Sequence, residues 1–358
     1  MKEIREGISE SVLNRNSTDS IRALASILVV FGHLVRTMEV SPENPLQMLN
    51  IFAPGTLGIF FFYTGYNLLY GYMNKGGMLW SKGYWRKKIT RIYLPFVLMN
   101  MIFQIYWWIL DKGPYDIKIV IECMLGIYVL GSDLWYIQSV ILIYLLFYVV
   151  FIIIEKLVPR VSRTAFVAIA GSVIVGILYS LLYIRYGAYN SVDSVYPIPL
   201  LAGMVFAITE KRIAGFLRKY KWELLFTFAF IAVIIDRYGL YGYRHIIAGR
   251  IDVYELIRPL VATLAVNTLI IDENIKSPIL LKISGISLPM YLTHTICYQV
   301  LRSKIIYIES DALYMLLYLI SLIIASVGVK KLMRLNEKCY NHIASNMPKK
   351  LGNIMMNI

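Results

Sequence analysis

Long apolar runs separated by short polar links extend along most of the 358-residue chain. A helix needs about 20 predominantly apolar residues to cross the hydrocarbon core of a bilayer, and most of the runs approach that length. The pattern therefore predicts an all-α fold, a polytopic membrane helix bundle of about ten transmembrane helices. The predicted spans are residues 20–36, 51–72, 92–110, 134–154, 165–184, 197–209, 223–240, 257–271, 287–303 and 312–329.

One further apolar segment, residues 119–131, is short for a span and contains Glu122. The distribution of basic residues indicates whether this segment crosses the membrane, because cytoplasmic links of membrane proteins are enriched in Lys and Arg. When this segment is not counted as a span, the N-terminus, four alternate links and the C-terminal tail share one side and hold 26 of the 36 Lys and Arg residues. We therefore predict ten helices with both termini cytoplasmic, and residues 119–131 as an outer interfacial or re-entrant segment.

The domain organisation follows from the same pattern. We predict a cytoplasmic N-terminal segment (residues 1–19), one membrane domain (residues 20–329) and a basic cytoplasmic C-terminal tail (residues 330–358). The first 19 residues are polar and contain no apolar stretch, so a removable signal peptide is not expected. No polar stretch is long enough to predict a separate soluble domain.

Composition narrows the function classes. Hydrophobic residues make up 58% of the chain and charged residues 16%, which excludes soluble enzymes and disordered chains. The net charge of +14 would suggest a nucleic-acid partner in a soluble protein, but here the basic residues lie mostly in short links, so membrane orientation explains them and no nucleic-acid partner is expected. The cysteines Cys123, Cys297 and Cys339 share no metal-ligand spacing, so neither a disulfide framework nor a metal site is expected.

The first span contains two ionisable residues, Arg22 and His33. Their separation of 11 residues ends about 20° past three full helical turns, so both project from one helix face, about 16 Å apart along the axis. Ionisable groups inside a bilayer are costly and often functional. The ordinary structural explanation is that Arg22 extends to lipid headgroups and His33 hydrogen bonds to a neighbouring helix. These two residues alone leave both interpretations open.

A run of cations, RKKITR, follows the second span and contains Arg86, Lys87, Lys88 and Arg91. Membrane orientation or binding of anionic lipids explains most runs of this kind. The functional alternative is a phosphate site, in which several cations on one cytoplasmic loop hold the phosphates of a nucleotide-like donor.

Two later segments combine aromatic and polar residues. Asp133, Trp135 and Tyr136 lie at the predicted outer end of the fourth span, where an interfacial aromatic belt is the ordinary explanation. Tyr291 and His294 lie three residues apart in the ninth span, where a hydrogen bond within the helix bundle would explain the histidine.

Together these segments resemble the acyltransferase 3 family of integral membrane acyltransferases, over most of the chain. LGIFFFYTGYNLL in the second span is similar to the family's F-F-x-x-S-G-Y segment, with Thr64 in place of Ser, and K-I-T-R (Lys88 to Arg91) stands where the family tends to have R-x-x-R. LWYI and YLTH resemble later landmarks of the family. The first span matches the family's D-x-x-R-A-x-A opening and its spacing of ten residues between Arg and His, through Asp19, Arg22, Ala23, Ala25, Val30 and His33.

The resemblance implies an O-acetyltransferase of a bacterial cell membrane. Its donor would be a cytoplasmic acyl-CoA, with acetyl-CoA expected, and its acceptor a hydroxyl of a cell-surface or exported polysaccharide or a glycolipid. It further implies that His33 is the catalytic base, with a covalent acyl-histidine left open, that Arg22 guides the donor, and that Arg86, Lys87, Lys88 and Arg91 bind coenzyme A phosphates. Asp19, Trp135, Tyr291 and His294 would support the site.

A transporter or flippase of a glycan or small molecule is the alternative, because intramembrane Arg and His residues also mark substrate pathways.

Overall fold

Helices account for most of the residues that the computed structural model describes, and no strand occurs among them. The described residues are 11–38, 48–75, 84–113, 116–125, 127–130, 134–157, 163–186, 197–238 and 253–346. In chain order the helices are α1 (Arg15–Thr37), α2 (Met48–Lys75), α3 (Tyr84–Lys88), α4 (Leu94–Ile109), α5 (Ile117–Met124), α6 (Trp135–Leu157), α7 (Arg163–Tyr186), α8 (Pro197–Lys219), α9 (Lys221–Tyr238), α10 (Val253–Ile270), α11 (Pro278–Ser284), α12 (Ser287–Leu301) and α13 (Asp311–Asn346). A π-helical turn, Ile89–Tyr93, joins α3 to α4.

Several of these helices suit a bilayer. In the described part of the chain, four stretches are long and apolar enough to cross a membrane, and α11 with α12, which meet at a 68° bend, would make a fifth. The all-α membrane bundle is therefore confirmed. Each of the ten predicted spans overlaps a helix, while the count of ten spans and their sidedness stay predictions. The four stretches are Arg15–Thr37, Tyr84–Ile109, Trp135–Leu157 and Asp311–Ile343.

Two helices continue well beyond the apolar runs that predicted them. α8 extends ten residues past the predicted span end at 209, and α13 extends to Asn346, although the tail was predicted to begin at 330. Residues 330–346 contain neither Gly nor Pro and include Lys, Leu, Met, Arg and Glu, which favour helix. The end of the apolar run therefore shows where the apolar surface of the helix ends. It does not show where the helix itself ends.

The short apolar segment at 119–131 overlaps the eight-residue helix α5, which begins two residues before it. The Asp116 carboxylate caps this helix by accepting a 2.8 Å hydrogen bond from the Lys118 N–H. Eight residues give a helix about 12 Å long, which is too short to cross a hydrocarbon core of about 30 Å. The length of α5 agrees with the prediction that this segment does not cross the membrane.

The first of two compact units contains the described residues within 1–32, 45–77 and 146–284. In this unit α2 packs against α8 and α10. A Cβ atom on Gly65 of α2 would lie 2.1 Å from the carbonyl oxygen of Leu200. A Cβ atom on Gly203 of α8 would lie 2.0 Å from the carbonyl oxygen of Phe62. The two helices therefore touch backbone to backbone, an approach that small residues permit in membrane bundles.

The start of α1 is attached to the segment that follows α10. Ser20 Oγ donates to the carbonyl of Ile275 at 3.1 Å, and Ser17 Oγ accepts from the Ile275 N–H at 2.9 Å. Arg218 near the end of α8 donates through Nη2 to Asp272 at 2.7 Å, and this hydrogen bond holds the pKa of the Asp272 carboxyl below its usual range. These polar contacts connect α1, α8 and residues 271–275 at one end of the unit.

The second unit contains the described residues within 33–44, 78–145 and 285–358. In this unit α12 packs against α13, and α4 packs against both. Arg302, which follows α12, donates through Nη1 to the carbonyl of Thr37 at 3.0 Å, and its guanidinium lies 4.4 Å from the centre of the Tyr314 ring. A cation at a helix C-terminus satisfies an otherwise unpaired carbonyl and interacts favourably with the helix dipole. The last turn of α1 is thus held by α12 and α13.

Candidate active site

A pair of buried histidines forms the centre of the candidate site in the second unit. His33 of α1 and His294 of α12 approach to 2.8 Å between Nδ1 of His33 and Nε2 of His294. The ring centres are 4.9 Å apart. His33 is 8% exposed and His294 is fully buried. Two residues that the sequence singled out separately, 261 positions apart, therefore share one hydrogen bond.

Aromatic side chains surround the histidine pair. The Tyr291 ring lies 5.3 Å from the His294 ring, and the Tyr298 ring lies 6.3 Å from it on the other side. Tyr136 packs edge-on against Tyr291 at 5.1 Å, and Trp135 contacts Tyr136. The segments LWYI and YLTH, which were predicted to support the site, therefore meet there, and Tyr136 makes the direct contact.

Local sequence explains how α12 presents His294. The break between α11 and α12 falls at residues 285–286. Pro289 in the first turn of α12 has a fixed φ angle and no N–H, both of which suit a helix start. Thr293 Oγ1 donates to the carbonyl of Pro289 at 2.9 Å. His294 Nδ1 lies 2.7 Å from the carbonyl of Tyr291 in the same helix, so the ring is held at both nitrogens.

Arg22 forms a second polar centre, in the first unit. It donates to the carboxylate of Asp19, which also lies 3.7 Å from Arg15. The Nε atom of Arg22 is buried and makes no hydrogen bond with any described residue. Tyr63 of α2 is 2% exposed, and its hydroxyl is likewise without a hydrogen bond among the described residues. The first unit therefore contains two buried donor groups, Arg22 Nε and the Tyr63 hydroxyl, that make no hydrogen bond with a described residue.

Two of the predicted phosphate-binding cations have partners within the chain. Lys88 Nζ lies 3.6 Å from the centre of the Tyr144 ring and 5.5 Å from that of Tyr84. Arg91 donates to both carboxylate oxygens of Glu337 on α13, through Nε and Nη2, at 2.9 to 3.2 Å. Arg91 is 50% exposed and Glu337 26% exposed, so water reaches this ion pair.

The other two cations, Arg86 and Lys87, lie in α3, and Lys87 is exposed.

The cationic run adopts an unusual helical geometry. The N–H of Leu94 donates to the carbonyl of Ile89, five residues earlier, which defines the π-helical turn. Pro95 follows and has no N–H to donate to the preceding turn. π-Helical turns occur often at functional sites because they change the direction of the side chains around them. The turn places Arg91 on the α13 side of this segment.

The structure thus separates the predicted site residues into three groups. His33, His294, Tyr291 and Trp135 meet in the second unit, Arg22 and Asp19 pair in the first, and the cations from Arg86 to Arg91 form the third. Asp133 lies outside the described residues. Sequence reasoning missed two residues, Tyr63 and Glu337. A sequence feature could have pointed to Tyr63, because this residue directly precedes the T-G-Y segment that resembles the family. No sequence feature pointed to Glu337.

The described residues contain no group of three His, Cys, Asp or Glu side chains that could hold a metal ion. Cys123, Cys297 and Cys339 are free thiols, the first two of them buried.

The family model Acyl_transf_3, described as an acyltransferase domain, matches residues 15–330. The matched segment includes all three groups of candidate residues except Glu337. No curated protein and no solved structure matches the chain.

Proposed function

Because the chain belongs to the acyltransferase 3 family of membrane acyltransferases, we propose that it transfers an acyl group, acetyl in the first instance, from cytoplasmic acyl-CoA to a glycan hydroxyl. The acceptor would be a cell-surface or exported polysaccharide or a glycolipid. The observation that carries the proposal is the buried contact between His33 and His294, because it places an imidazole inside an apolar bundle. An imidazole with a pKa near neutrality is the usual side chain for accepting a proton from a hydroxyl.

The chemistry needs one proton acceptor and one carbonyl to attack. A sugar oxygen attacks the thioester carbon, the C–O bond forms and the C–S bond breaks, and His33 takes the hydroxyl proton. The proton then passes to the departing thiolate, so the products are the ester and free coenzyme A. His33 could instead carry the acyl group itself, in which case the sugar attacks an acyl-histidine.

The donor would be bound by the two other groups of residues. Cations of the Arg86 to Arg91 run would contact coenzyme A phosphates, with Arg91 exchanging the Glu337 carboxylate for a phosphate, since Arg pairs with either in the same forked geometry. Arg22 and Tyr63 would donate to polar groups of acyl-CoA, which is consistent with the buried Nε atom of Arg22 and the buried Tyr63 hydroxyl, since neither makes a hydrogen bond with a described residue.

The enzyme would work in a bacterial plasma membrane with both termini cytoplasmic. The proposal rests on the 26 of 36 basic residues that the ten-helix arrangement places on one side.

The test is release of free coenzyme A and transfer of radiolabelled acetyl from acetyl-CoA to the envelope polysaccharide of the host bacterium. His33→Gln keeps a polar side chain but cannot take a proton at neutral pH, so transfer should fall about 10²- to 10⁴-fold. His342→Gln is the matched control, because His342 is exposed on α13 and should tolerate the same change. Near-parental transfer by a correctly inserted His33→Gln variant would refute the mechanism, and glycan movement without coenzyme A release would identify a transporter.

A further inference from the structure

The exposed side of the junction between α8 and α9 combines cations with aromatic side chains. α8 ends at Lys219 and α9 begins at Lys221, so the single residue Tyr220 joins the two helices. Arg212, Phe216 and Lys219 follow one another at spacings of four and three residues, which places them on one face of α8. All three side chains are exposed, and Phe216 is 55% exposed. The last two turns of α8 therefore present an aromatic ring between two positive charges.

Further aromatic side chains extend this face onto α9. The ring centres of Phe216 and Tyr220 are 5.0 Å apart, and Lys219 Nζ lies 4.9 Å from the centre of the Tyr220 ring. Trp222 is 73% exposed, and Phe226, one turn later on α9, is 81% exposed. Burial of large aromatic side chains away from water is favourable, and Trp and Tyr are enriched where a bilayer meets water. The composition of this face is therefore typical of a helix end at the membrane–water boundary.

Two neighbouring cations, by contrast, are neutralised by the chain itself. Arg218 Nη2 donates to the Asp272 carboxylate at 2.7 Å, and Lys221 Nζ donates to the Glu273 carboxylate at 2.8 Å. In the part of the chain that the structure describes, no carboxylate forms an ion pair with the two cations that flank Phe216. The exposed face therefore carries a positive charge that an anionic partner can neutralise.

We propose that the α8–α9 corner, formed by Arg212, Phe216, Lys219, Tyr220 and Trp222, anchors the protein at the membrane surface and selects anionic phospholipids. The aromatic rings lie at the level of the headgroups, and the two cations pair with headgroup phosphates. A zwitterionic headgroup carries its own cation, which competes with the protein cations for the phosphate, whereas an anionic headgroup has no such cation. Each Lys or Arg near an anionic surface contributes about fivefold to the preference. The proposal is independent of the proposed function, because none of these residues belongs to the candidate active site or the proposed donor site.

Quenching of Trp222 fluorescence measures which lipid occupies the corner. The full-length protein is reconstituted into phosphatidylcholine vesicles that contain either brominated phosphatidylglycerol or brominated phosphatidylcholine, because bromine quenches a nearby tryptophan. The chain has 6 tryptophans, so the signal of Trp222 is the difference between each protein and its Trp222→Phe counterpart. In the parent protein the affinity for phosphatidylglycerol should exceed that for phosphatidylcholine by roughly 5- to 25-fold. Arg212→Gln combined with Lys219→Gln should bring the two affinities to within about twofold of each other.

Lys304→Gln combined with Lys331→Gln is the matched control and should keep the parental preference, since both lysines are exposed and belong to the second unit. Equal quenching by the two lipids in the parent protein, or an unchanged preference in the Arg212 and Lys219 double variant, overturns the proposal. Loss of the preference when inorganic phosphate is added at constant ionic strength identifies a site for soluble phosphate and also overturns it. Raising the salt concentration should weaken the preference in the parent protein, because salt screens exposed charges. This salt titration decides between the outcomes even where a variant inserts poorly, since a preference that salt does not change refutes the role of the cations.

Discussion

The ion pair between Arg91 and Glu337 should compete with the donor for the same guanidinium. Both side chains are partly exposed, and ion pairs in such positions contribute about 0.2 to 1 kcal/mol. Removing the carboxylate with Glu337→Gln should therefore tighten binding of acetyl-CoA by roughly 1.5- to 5-fold. Arg91→Gln removes a hydrogen-bonded charge and should weaken binding about tenfold or more. The gain from Glu337→Gln should disappear when Arg91 is also Gln.

The assay is a titration of acetyl-CoA into the purified protein in lipid nanodiscs, repeated with a coenzyme A that lacks the ribose phosphate. The four proteins of the double-mutant cycle isolate the coupling between the two side chains. Glu309→Gln is the matched control, since it removes the same charge from an exposed residue two positions before α13 begins. Equal affinities for the parent and Glu337→Gln would refute the competition. An unchanged affinity in Arg91→Gln would show that this arginine does not contact the donor.

Three further predictions concern the first unit and the topology. Tyr63→Phe should weaken acetyl-CoA binding about 2- to 10-fold without lowering thermal stability, because the hydroxyl makes no hydrogen bond with any described residue; unchanged affinity in the titration would show that the donor does not reach it. Gly203→Ala should cost about 1 to 3 kcal/mol in a thermal-unfolding assay, since the new Cβ would meet a backbone oxygen of α2 at 2.0 Å, whereas Gly215→Ala, with nothing within 4 Å, should be tolerated. A cysteine near Lys211 should resist an impermeant reagent applied to intact cells and one near Val192 should react, and the reverse pattern would contradict the ten-helix topology.

The fold class could be predicted because a membrane-spanning helix satisfies its own backbone and therefore depends on local sequence. Each apolar run of the chain lies within or overlaps a helix. The ends of α8 and α13 could not be predicted in the same way. An apolar run corresponds to the thickness of the bilayer, whereas a helix can continue for as long as its residues favour helix, and residues 330–346 contain neither Gly nor Pro.

The candidate site was only partly predictable for a different reason. Arg22 and His33 were conspicuous because ionisable residues are rare in apolar runs. Their partners were not, since Tyr63 is one of 28 tyrosines and Glu337 lies in a polar stretch where carboxylates are ordinary. The contact between His33 and His294 joins two residues that are 261 positions apart in the chain, and no local sequence pattern records it.

The cationic run shows how one segment can satisfy two explanations. Membrane orientation depends on the number of positive charges and requires no particular geometry. Lys88, however, lies against the faces of two tyrosines, and Arg91 is held in a fork by one carboxylate. Side chains with fixed directions are what a specific phosphate site needs, since flexible cations lose more entropy on binding. The carboxylate of Glu337 also occupies the Arg91 guanidinium, so any phosphate that is to bind there, from a lipid or from the proposed donor, must displace it.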